Sequence, residues 1–172
     1  MACNTNLSSI LKSCDNNIGG VTKFYIVPAE IVTATTVTSG MITSISLSGG
    51  TLFSEFEFSK NSASYTEEAA ISFENGSTFY TTTVTLTIPR REKLKQIALA
   101  LIAAGQRNLK IIVKDGNGLY WFVGFANDAN LSALADGSGA AKGDGSKYVL
   151  TFLAEEPELM YEVDPSIMSG LI

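Results

Sequence analysis

Two cysteines, Cys3 and Cys14, and two adjacent carboxylate pairs, Glu67-Glu68 and Glu155-Glu156, are the side chains here best suited to nucleophilic or acid–base work. The chain has no histidine among its 172 residues. Ser–His–Asp and Cys–His arrangements are therefore impossible, and so are histidine metal sites. A cysteine becomes a nucleophile only when a base or a nearby cation stabilises its thiolate. Both cysteines lie in a polar lead-in without a cationic cluster, so they read as reduced, inert thiols of a cytosol-made protein. A single disulfide between them is the alternative. Adjacent residues on a strand point to opposite faces, so neither carboxylate pair forms a two-carboxylate acid–base site. No phosphate-binding glycine loop runs from a strand into a helix. The sequence predicts no catalytic residue, no metal and no cofactor.

Charge, unlike catalysis, is clustered. Arg90, Arg91, Lys93 and Lys95 crowd the start of a predicted helix, offset only by Glu92. The helix dipole favours anions at that end, so four cations there are a local misfit. Glu155, Glu156, Glu158, Glu162 and Asp164 follow the last predicted strand. Either the basic group is a solvated face, or the two groups meet, as an internal clamp or across a boundary between identical subunits. Arg90, Arg91, Lys93, Glu155, Glu156 and Glu158 are the candidate subunit-interface residues.

The elements that carry these groups are mostly strands. Residues 78–89 read TFYTTTVTLTIP, with Tyr80, Thr82, Val84, Leu86 and Ile88 on one side and threonines dominating the other. That two-residue period predicts a strand with one buried face. Asn75-Gly76 is a strong turn signal, predicting a hairpin over residues 65–88. Further strands are predicted at 21–27, 31–37, 41–47, 52–59, 109–114, 119–125 and 148–153. Pro89 is placed in the first turn of the helix, Leu94, Ile97, Ala98, Leu101 and Ile102 recur at helical spacing, and Gly105 is the expected stop. Residues 126–146 are small and glycine-rich and read as a flexible loop. Trp121 shares an alternation face with Leu119, Val123 and Phe125, which favours core packing over a ligand platform. The expected fold class is mainly β, a β-sandwich or barrel with one flanking α-helix, as a single domain over 1–172 with an N-terminal arm, 1–20, and a C-terminal arm, 154–172.

Composition narrows the function classes. Seventeen acidic against twelve basic residues give a net charge of −5, which argues against a general nucleic-acid binder. The opening MACNTNLSSILKS lacks the charged and apolar regions of a signal peptide, and no apolar run approaches a membrane span. A soluble, cytoplasmically made protein is expected. The apolar C-terminal residues Leu159, Met160, Ile167, Met168, Leu171 and Ile172 need docking, on the chain's own body or on a neighbour.

The helix entered through Pro89-Arg90-Arg91, the hairpin KIIVKDGNGLYWFVG, the glycine-rich loop and the run YVLTFLAEEPELMYEV together resemble the C-terminal half of phage tail-tube-like proteins. So does the opening CNTNLSS…GGVTKFYIVP, in the manner of small structural proteins of Bacteroidetes phages and prophages. The resemblance is strongest over residues 85–165, and its motifs are architectural. It implies a tail-tube-like protomer that forms rings, six-fold in that family, stacking into a tube in the virion tail. Other tail and neck proteins would be its partners, and DNA would pass through the lumen without specific binding. The alternatives are a neck, connector or tail-terminator ring, the tube of a related injection system, or a carbohydrate- or host-binding β module.

Overall fold

The computed structural model describes residues 9–104 and 107–172. Cys3 and the predicted helix stop Gly105 lie outside the described residues. The structure is mostly β with a single described helix, as the sequence predicts. Its strands are β1 (Val21–Pro28), β2 (Val32–Thr38), β3 (Met41–Leu47), β4 (Ser54–Glu55), β5 (Ala63–Ser72), β6 (Ser77–Pro89), β7 (Leu109–Asp115), β8 (Tyr120–Val123), β9 (Ala129–Gly137), β10 (Lys147–Glu156) and β11 (Tyr161–Val163). The helix α1 is Lys93–Ala103, and short 3₁₀ turns occupy Ala29–Ile31 and Pro165–Gly170. All eleven strands belong to one hydrogen-bonded sheet; nine follow the path β2-β3-β11-β8-β7-β9-β10-β6-β5, and β1 branches from β7 with β4 on β1. Every described pairing is antiparallel except β11 with β3.

The alternation of β1 and β7 organises the interior. Phe24, Ile26, Leu109, Ile111 and Val113 point into one core, where Val84, Leu86, Leu150, Phe152 and Leu99 meet them. Tyr25, Val27 and Ile112 point the other way, into a second core closed by Ile42, Ile45, Phe53, Val163, Met168 and Leu171. A strand that is apolar on both faces reads as a continuous hydrophobic run, and Leu109–Val113 is buried throughout. The predicted face of β6 is correct: Val84 and Leu86 are fully buried and Thr82 lies with them. The hairpin also forms, Ala63 pairing with Leu86 and Ser72 with Ser77 across a four-residue turn at 73–76.

Four expectations change. Residues 126–146 are not a loop throughout, because Ala129–Gly137 is a nine-residue strand on the edge of β10. A backbone ladder does not require bulky side chains, so the small residues concealed it. Residues 52–59 contain only the two-residue β4. Their backbone is shared among elements instead, the Phe53 N–H donating to Leu171 O and the Phe56 N–H to Phe24 O. Phe53 and Phe56 still fall on opposite sides, one in each core. Pro89 ends β6 opposite Lys147 rather than opening the helix. Arg90 then takes a left-handed φ of 61°, and the helix starts only at Lys93. Finally, residues 154–172 are no free arm. They complete β10, add β11 and turn Met168 and Leu171 into the second core.

Along residues 9–17 every side chain is exposed, Ile10 and Leu11 almost completely. This segment meets the body at the β7–β8 turn, where the Ile18 N–H donates to Asn117 Oδ1 at 2.7 Å and the Gly116 N–H to Gly20 O at 2.9 Å.

Candidate assembly surface

The basic and acidic groups occupy opposite ends of the same strand pair. Lys147 lies beside Pro89 and Glu156 beside Tyr80, so the ten-residue β10 separates the groups by about 30 Å. The internal clamp does not form in this chain. Arg91 instead pairs with Asp136 at 2.6 Å, its guanidinium 5.9 Å from the Tyr148 ring centroid. Arg90 reaches Glu92 at 3.1 Å. Lys95 Nζ donates to the carbonyls of Pro89 and Arg90 at 2.8 and 3.2 Å, closing the end of β6. These partners explain why cations are tolerated at this helix end. Lys93 forms no ion pair among the described residues.

At the acidic end the residues have separate roles. Glu156 is 5% exposed and is not a surface charge. Its carboxylate accepts from the Ala126 N–H at 2.9 Å and the Asn127 N–H at 3.2 Å, holding the turn after β8. That removes Glu156 from the candidate interface set. Glu158 accepts a hydrogen bond from the Tyr161 hydroxyl, which holds that phenol above its ordinary pKa. Glu155 remains exposed. Asp164 caps the last 3₁₀ turn, accepting from the Ser166 N–H at 2.8 Å, and this bond keeps its carboxyl below the usual value.

Trp121 is half-buried against the first core, and its Nε1–H donates to Asp115 Oδ2 at 3.2 Å. Asp115 also accepts from the Asn117 and Leu119 N–H groups, so the indole belongs to the β7–β8 turn. Leu119 is partly exposed and Phe125 packs in the second core, so the predicted shared face ends at Val123. The break is Gly124, whose φ of 83° would place a Cβ 2.7 Å from Ala129 N.

Several features are not marked by any motif. Lys110, 9% exposed, pairs with Asp128 at 2.5 Å and donates to Phe125 O at 2.9 Å. It ties β7 to the bend between β8 and β9. An open basin of about 690 Å³ beside it is lined by Asn108, Asn127, Asp128 and Glu155 together with Leu131 and Leu153. Among the exposed large apolar side chains, two groups of three stand far apart: Ile71, Phe73 and Phe79 around the β5–β6 turn, and Leu94, Ile97 and Leu101 on α1. The strands at the two ends of the path, β2 and β5, each pair on one side only.

Among the described residues no group of three or more Cys, Asp or Glu gathers at metal-binding range, and no helix is long and apolar enough to cross a membrane. The fold and its surfaces define a mainly β protein with one helix, two cores and uncovered sheet edges. No protein-family model matches the chain, and no curated protein and no solved structure matches it.

Proposed function

We propose that this protein is a self-assembling structural subunit of the phage tail-tube type, joining edge to edge into rings that stack into a tube for DNA. The observation that carries the reading is the free edge of β5. This strand runs ten residues in unbroken register with β6, and it holds no proline, lysine or bulge. Its only charges are the mid-strand pair Glu67 and Glu68, Glu67 being held by the Met160 N–H at 2.8 Å, so the uncharged stretches Ala63–Thr66 and Ala69–Ser72 are the parts of this edge open to pairing with another chain. The edge at the far end of the path, β2, reads VTATTVT and carries no charge. Two different edges on one chain suit a head-to-tail contact, which closes into a ring when the rotation per subunit allows it. The net charge of −5 supports a conduit, since an acidic lumen repels a passing polyanion. The engagement of the Trp121 N–H with Asp115 weighs against the carbohydrate-platform alternative.

Light scattering over a concentration series, followed by electron microscopy, tests the reading. High-mass species that image as stacked tubes support it. Discrete rings that never stack favour the connector or terminator alternative. A chain that stays monomeric at high concentration and moderate salt overturns it.

A further inference from the structure

Helix α1 is apolar on two sides, and only one is covered. Leu99 and Ile102 face the first core. Leu94, Ile97 and Leu101 form a second stripe, 78%, 50% and 59% exposed. At about 100° per residue this stripe lies more than a quarter turn from Leu99. A helix that is apolar all round is normally enclosed. At the other end of the sheet the β5–β6 turn presents Phe73, 94% exposed, with Ile71 beside it at 60%. The thirteen residues of β6 hold the two patches about 40 Å apart, so neither can cover the other within one chain.

Their charges are complementary. Residues 61–89 contain three carboxylates and no cation, whereas residues 90–95 contain four cations against Glu92. Glu68, Glu74 and Lys93 form no ion pair among the described residues.

We propose that the β5–β6 tip of one copy seats on the α1 stripe of the next. Phe73 and Ile71 pack against Leu94, Ile97 and Leu101, and Glu74 faces Lys93. The contact rests on the self-assembly reading and supplies what edge pairing lacks. Edge pairing extends across the strands, whereas this contact extends along them. It joins two different surfaces, so it leaves a free tip and a free helix at every stage and propagates as a stack.

The test uses the full chain carrying Cys3→Ser and Cys14→Ser. One preparation adds Phe73→Cys, a second adds Leu101→Cys, and the two are mixed, oxidised and analysed by mass spectrometry. A disulfide joining positions 73 and 101 is expected in the mixture. Glu74→Lys should weaken stacking by about tenfold or more, and adding Lys93→Glu should restore part of it. A wild-type chain that never assembles removes both this contact and the self-assembly reading. Assembly that persists unchanged in Phe73→Ala and Leu101→Ala, with no cross-link between 73 and 101, removes this contact alone.

Discussion

Lys110 shows how a single charged side chain sets the course of the backbone. It reaches from the middle of the sheet to Asp128 and to the carbonyls of Gly124 and Phe125. Those groups belong to the bend where the chain leaves β8 and re-enters the sheet as β9, and Asp128 itself holds a left-handed φ of 61°. Lys110→Met should cost roughly 2–4 kcal/mol in urea denaturation, because it strands a carboxylate and two carbonyls in a half-buried bend. An unchanged midpoint would mean that water replaces the ammonium without loss. Asp164 offers a pH test at the same scale. Its carboxyl starts from 3.8 and is lowered by the Ser166 bond. The bond's contribution is therefore fully present above about pH 3.8 and is lost as pH falls through the lower folded value. The protection of the Ser166 amide relative to its intrinsic exchange rate should fall over that acid window in the wild type and be absent on both sides of it in Asp164→Ala.

The elements differ in how much of their apolar surface the chain itself uses. On α1, Leu99→Ala should cost about 2–5 kcal/mol, the usual range for a buried leucine, while Leu101→Ala should stay within about 0.5 kcal/mol in dissociated subunits. Equal costs in thermal melts would mean that the outer stripe is covered within the chain. On β6 the same contrast runs across the strand. Val84 is fully buried between β5 and β10, so Val84→Asp should cost several kcal/mol and threaten folding. Thr83 is only half-buried, and Thr83→Asp should be far milder. If both variants melt alike, the faces of β6 are not as described.

At the scale of the molecule, β1 and β7 form a partition with a core on each side, and the C-terminal turn seals one of them. Both cores are built from residues of the single chain, and the β5–β6 tip and the outer stripe of α1 take no part in either. The complementary charges at tip and helix are exposed, so salt screens them strongly while leaving both cores untouched. Raising ionic strength from about 0.05 to about 0.5 M should shift sedimentation toward smaller species with little change in the melting temperature of the subunit. An assembly indifferent to salt would point to apolar and edge contacts alone.

The sequence by itself determined the β character, the β6 face, both hairpins and the existence of α1. Each of these rests on local periodicity or turn chemistry, which neighbouring residues carry without help from distant ones. It also placed both charge clusters, because a run of like charges is visible in one dimension. Only the tertiary structure decided what they face. Glu156 turned inward to hold the turn after β8, Arg91 found Asp136, and Lys95 folded back on the end of β6. Strand β9 was likewise decided by its neighbour, since Ala, Ser and Gly pair through their backbone while showing no apolar period. The same cause concealed the two-sided use of α1: helical spacing gave Leu94, Ile97, Ala98, Leu101 and Ile102 as the apolar set, but Leu99 is the residue buried in the first core, with Ile102 packed against it. Which face of an element is buried depends on what arrives opposite it, and that partner comes from far along the chain.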